Sequence, residues 1–187
     1  MGRWQMGKAW RLVFATAIIT VAISPRSLHA QNRNSPPPLS QVIHSFNIER
    51  PEATAYAVWN EGRVQQHEVW FRVLGGDADY QQRLRVFKEQ APPRSPDTLP
   101  PVSEIVYEME NNRTSDWFYL GTENEFFTYY FDGDNRPDGA QIWDHSKAVR
   151  VRKTAYNNGD LYEISFEDLN TLDDYNDLEI EVVLIRR

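Results

Sequence analysis

The chain contains no cysteine, so no disulfide stabilises it and a lipoprotein-type anchor is excluded. Four histidines are scattered along it, and without thiolates they argue against a structural zinc site. No serine sits in the glycine-flanked turn of a hydrolase nucleophile. No heptad pattern or internal repeat runs through the sequence, and helical periodicity is sparse. Only one stretch, Leu12–Ile23, is a long apolar run. It is too short to span a bilayer comfortably.

That run instead reads as the core of a signal peptide over residues 1–30. Arg3, Lys8 and Arg11 precede it, Pro25 breaks it, and Ser27-Leu28-His29-Ala30 offers a cleavage site before Gln31. Removing it takes away four basic and no acidic residues, leaving 16 basic against 27 acidic and a formal charge of −11. Such a chain repels nucleic acid and anionic lipid. The expected setting is extracytoplasmic, whether secreted, periplasmic or at the cell surface, with no stable membrane span after cleavage. Residues 31–45 read as a linker, because Pro36-Pro37-Pro38 favours extended polyproline geometry. A single domain over residues 46–187 follows.

Within the domain the dominant signal is period-two alternation. Tyr162, Ile164 and Phe166 share one face of a segment; Leu178, Ile180, Val182 and Leu184 share one face of another. Ala55–Trp59, His67–Leu74, Gln82–Lys88, Trp117–Leu120, Glu125–Phe131, Gln141–Trp143 and Ala148–Lys153 read as further strands, the first expected near Ala53. Val102–Glu110 is ambiguous between strand and helix. Many short strands separated by turns such as Asn157-Asn158-Gly159-Asp160 predict an all-β, antiparallel sandwich with a jelly-roll-like arrangement.

Two acidic segments interrupt the pattern. Asp168, Asp173, Asp174, Asn176 and Asp177 crowd into the connection between the last two strands. Carboxylates so close repel unless water or a cation screens them, and calcium prefers such oxygen ligands. A solvated turn fits the same residues, since Asp and Asn bond their own backbone. The second segment, Asp132-Gly133-Asp134-Asn135-Arg136-Pro137-Asp138-Gly139, reads as a loop whose Asp132, Asp134 and Asp138 form a possible second site. It departs from the EF-hand template, because Arg136 stands where an acid belongs. His145 reads as a hydrogen-bonding orienter rather than a ligand.

Phe166-Glu167-Asp168-Leu169, then Asp174-Tyr175-Asn176-Asp177 leading into an aliphatic strand, resembles the end of the DUF4114 family of bacterial extracellular domains. Asn135-Arg136-Pro137-Asp138-Gly139 and the following His145 resemble that family's Asn-Pro-Asp-Gly segment and its histidine. The resemblance covers most of the chain from Ala55 and is dense after Asp116. Calcium is expected from the crowded carboxylates, and the match to the family pattern puts Asp174 and Asp177 first among its ligands, followed by Asp168 and Asn176. Glu167 is expected outside the ligand set, and the two acidic segments at one end of the sandwich, within reach of a shared ion. The family's glycine run is replaced by Asn170-Thr171-Leu172, which leaves Asp173 adjacent to Asp174.

The expected function is a non-enzymatic binding or structural role in the cell envelope, its partner an envelope or extracellular ligand, glycan included. A carbohydrate-binding module is the alternative, with Trp59, Trp70, Trp117, Trp143, Tyr129 and Tyr130 as platform or as core. A carboxylate-dependent hydrolase is the third reading. It needs two carboxylates about 5–9.5 Å apart across a cleft, and no pair is singled out.

Overall fold

Strand formation follows the alternation closely. The computed structural model describes residues 34–60, 65–93, 98–110, 113–168 and 174–187. All of them belong to one compact unit, residues 32–187. Residues 1–30, where a signal peptide is expected, lie outside the described residues, as does Asp173. The strands are β1 Val42–Pro51, β2 Ala55–Trp59, β3 His67–Gly75, β4 Gln81–Glu89, β5 Ile105–Met109, β6 Phe118–Glu123, β7 Thr128–Arg136, β8 Asp144–His145, β9 Ala148–Tyr156, β10 Gly159–Glu167 and β11 Leu178–Arg186. A short 3-10 turn, Val102–Glu104, leads into β5, so the ambiguous segment resolves mostly as strand.

Two antiparallel sheets pack face to face. The larger runs β1-β9-β10-β11-β3-β6; the smaller runs β2-β7-β4-β5, with β8 paired to β7. β10 and β11 form the expected hairpin, with Tyr162 opposite Val182, Ile164 opposite Ile180 and Phe166 opposite Leu178. All six are buried. Phe71 joins the layers: its ring stacks on Phe118 at 5.1 Å, meets Tyr107 edge-on at 5.0 Å and lies 5.8 Å from Phe131. Each such pair adds roughly 0.5–1.5 kcal/mol beyond burial of its area.

Three assignments change. β1 lies within residues 42–51, so strands begin before Ala53 and the linker is shorter than residues 31–45. Leu39 packs beside Trp70, Val183 and Ile185. Ser40 N–H donates to Asn158 Oδ1 at 2.8 Å, and Asn158 Nδ2 donates to the Pro38 carbonyl at 3.1 Å. The expected strand Gln141–Trp143 is instead a bend leading to β8. β7 does not stop at Phe131 but runs straight through the supposed acidic loop to Arg136.

Candidate metal centre

The extension of β7 sets the fate of the first acidic segment. Leu84 and Val86 of β4 face the core, which places Arg83 and Arg85 on the outer face. Cross-strand register sets Arg83 opposite Asp134 and Arg85 opposite Asp132. Arg83 Nη2 lies 2.6 Å from Asp134 Oδ2, and Arg85 Nη2 lies 2.6 Å from Asp132 Oδ2. Both carboxylates are fully buried. His145 Nδ1 sits 2.9 Å from Asp134 Oδ1, as befits an orienter. Trp143 closes the group, with the Arg83 and Arg136 guanidinium carbons 4.6 and 4.3 Å from its ring centroid. Burial first, and the Asp134 charge next, push Asp132 up to about 6 in spite of Arg85. Asp132 Oδ1 accepts no hydrogen bond from a described residue. The two arginines already supply the positive charge that a cation would bring, and they would repel one. Asp138 is exposed in the following turn and stands apart from this group.

The second acidic segment is built differently. Glu167 ends β10, Asp168 follows it, and Asp177 immediately precedes β11. Ligand oxygens of these three lie within 4.8 Å of one another. Their relative exposures are 1 %, 3 % and 6 %. Asp168 N–H donates to Asp177 Oδ2 at 2.6 Å, and Tyr175 N–H donates to Glu167 Oε2 at 3.2 Å. Gln82 of β4 donates from Nε2 to Asp168 Oδ2 at 2.8 Å. Asp168 Oδ1 and Gln82 Oε1 are buried and receive no hydrogen bond from a described residue. Such orphaned oxygens are costly in a low-dielectric interior.

No arginine or lysine pairs with Asp168 or Asp177 among the described residues. Burial, then the charges of Glu167 and Asp79, raises the Asp168 carboxyl above the ordinary range against the Gln82 hydrogen bond. Burial, then Asp168 and Glu167 beside it, pushes Asp177 up to about 7 against the Asp168 N–H bond.

Loop geometry holds this arrangement. Tyr175 adopts φ +55°, a left-handed conformation uncommon for an aromatic residue. The Arg150 guanidinium lies 4.8 Å over the Tyr175 ring, and its Nη2 donates to the Asp174 carbonyl at 2.9 Å. Asp77 N–H donates to the Asn176 carbonyl at 2.8 Å, bringing the β3–β4 loop against the segment. Gly76 makes that approach possible: a Cβ there would lie 2.0 Å from the Asp177 carbonyl oxygen.

The outcome for the sequence expectations is mixed. Asp168 and Asp177 come together as expected. Asp174 does not join them: it is exposed and held through its backbone carbonyl. Asn176 is half-buried and engaged through its carbonyl too. Glu167, expected outside the ligand set, is part of the group, and Gln82 was not anticipated at all. The signal for Gln82 was a polar residue in phase with Leu84 and Val86 at the start of a strand. The two acidic segments form two separate groups rather than one shared site.

Of the candidate platform residues, Trp59 and Tyr130 line one cleft and the other tryptophans lie apart from it. Trp70 is buried, Trp59, Trp117 and Trp143 are half-buried, and Trp117 is covered by Arg72 at 4.6 Å. Asp132, Asp168 and Asp177 line neither the cleft between β1 and β2 nor a smaller one that Glu49, Glu163 and Glu179 line beside Arg150 and Arg152. Together, fold and site define an antiparallel β-sandwich with a buried carboxylate group at the base of its last hairpin, in which neither Asp168 nor Asp177 meets an arginine or lysine among the described residues. The chain matches no protein-family model, no curated protein and no solved structure.

Proposed function

We propose that this is a non-enzymatic extracytoplasmic domain whose fold is stabilised by calcium, serving a binding or structural role in the cell envelope. The observation that carries the reading is the Glu167, Asp168 and Asp177 group: three buried carboxyl groups, with Asp168 Oδ1 and Gln82 Oε1 left without donors. A hard divalent cation satisfies both deficits, because it takes six to eight oxygens and converts carboxylate repulsion into attraction. Glu167, Asp168 and Asp177 would supply the charged ligands and Gln82 Oε1 a neutral one, with water completing the shell. The resemblance to DUF4114 domains and the basic-apolar leader support the extracytoplasmic setting, where calcium is plentiful.

The test is thermal unfolding of the purified protein in calcium and in chelator. Calcium at ~100 times its dissociation constant stabilises by roughly 2.7 kcal/mol. For a domain of this size each kcal/mol moves the midpoint by about 2–4 °C. A midpoint indifferent to millimolar calcium would return the segment to a solvated turn.

A further inference from the structure

The two edge strands β1 and β2 leave the sandwich open on one side. β1 ends the larger sheet and β2 ends the smaller one. Between them lies a cleft of about 690 Å³, within the range of roughly 300–1,000 Å³ typical of small-molecule sites. Its walls are aromatic: Phe46 from β1, Tyr56 and Trp59 from β2, Tyr130 from β7 and Tyr162 from β10. A second cleft of about 330 Å³ shares Phe46, Trp59 and Lys153 with the first and continues past Ile43 and His44. The result is an elongated trough along the inner face of β1. Phe46 remains 41 % exposed within it.

Charge in the main cleft runs against the rest of the molecule. The chain has 27 acidic and 20 basic side chains, yet the charged residues lining this cleft are Arg50 and Lys153, and none is acidic. Arg50 is exposed and forms no ion pair with a described residue. Lys153 holds its ammonium 5.1 Å over the Tyr162 ring centroid. The second cleft adds Asp160, paired with Arg186 at 3.1 Å, so it is the main cleft, aromatic with a guanidinium at its rim, that is complementary to a ligand with an apolar chain and an anionic head. The planar guanidinium fork matches a carboxylate bidentately.

We infer that the main cleft binds a single-chain carboxylate amphiphile, its chain against the aromatic walls and its head on Arg50. The cleft shares no residue with the Glu167, Asp168 and Asp177 group, so this inference stands apart from the calcium reading.

Titration calorimetry of the purified protein decides it, with sodium dodecanoate below its micellar concentration and dodecyltrimethylammonium as the cationic counterpart. Dodecanoate is expected to bind one to one, and the cationic probe at least tenfold more weakly. Arg50→Ala, at an exposed edge, should weaken dodecanoate at least tenfold while leaving the melting curve unchanged. Ala57→Phe, which fills the cleft from β2, should abolish binding. Equal affinity for both head groups, or full affinity in either variant, would overturn the inference.

Discussion

The molecule carries two buried acidic groups that differ in what answers their charge. Asp132 and Asp134 lie on a regular strand pair and each meets a guanidinium at 2.6 Å. Asp168 and Asp177 lie at a hairpin base and meet a glutamine amide, backbone N–H groups and other carboxyls. The same residue type in the same kind of acidic stretch therefore has two different structural meanings. Counting acids along the chain does not separate them; locating the counter-charge does.

The largest effect expected from breaking this contrast comes from the compensated side. Arg85→Met leaves Asp132 buried without its partner, and removing one member of a buried pair costs about 3–5 kcal/mol. Urea unfolding should register that loss equally in calcium and in chelator. A loss that calcium rescues would mean that the ion binds at the arginine-paired group after all.

Asp168→Asn acts in the opposite sense on the uncompensated side. In chelator it should leave stability unchanged or raised, because one of several repelling carboxyls is gone. In calcium it should forfeit the increment of roughly 2.7 kcal/mol available at ~100 times the dissociation constant. Paired melting curves with and without calcium separate the two effects.

Gly76→Ala probes the frame rather than the ligands. The added methyl meets the Asp177 carbonyl at 2.0 Å, and overpacking of this kind costs about 1–3 kcal/mol. The variant should also bind calcium more weakly, since the β3–β4 loop must withdraw from the segment that carries Asp177. Wild-type calcium affinity in this variant would show that the loop contact does not shape the site.

The pH dependence sharpens the comparison with the smallest signal. Both Asp132 and Asp177 have carboxyls raised above the ordinary value of 3.8, to about 6 and about 7. A group raised in the folded state contributes stability that is fully present below its unfolded pKa and is lost as the pH rises through the folded one. In chelator, stability should fall as the pH rises through both values. Calcium should cancel the part near pH 7, where it takes the place of the proton, and leave the part near pH 6. Denaturant midpoints measured from pH 4.5 to 8 check this. A calcium-insensitive profile contradicts it.

What was legible in the sequence was what local alternation controls. Tyr162, Ile164 and Phe166 against Leu178, Ile180 and Val182 announced a pair of strands, and the structure adds their register. Asp168 and Asp177 were both legible as candidate ligands, but Asp174 was ranked with Asp177 ahead of Asp168, because sequence spacing does not show which side chain turns inward. β1 was not, because it is exposed along most of its length and is held by its ladder to β9, a partner far away in sequence. Asp132-Gly133-Asp134-Asn135 has turn composition, yet long-range pairing with Arg83 and Arg85 makes it strand. Glu167 lies out of phase with Phe166 and should face solvent by parity alone. The left-handed Tyr175 folds the loop back so that its N–H meets the Glu167 carboxyl. For β1 and for Asp132–Asn135 the cause is the same: pairing with residues distant in sequence overrode a local preference.

The central claim is that a cation, not a solvated turn, answers the carboxyls at the hairpin base. Titration calorimetry of calcium into chelator-treated protein tests it directly, comparing wild type with Asp168→Asn/Asp177→Asn and with Asp174→Asn/Asp138→Asn. The account expects one ion per chain in the wild type, retained when the exposed Asp174 and Asp138 are changed and lost when Asp168 and Asp177 are changed. Absence of saturable binding in the wild type, or binding that persists without Asp168 and Asp177, would contradict it.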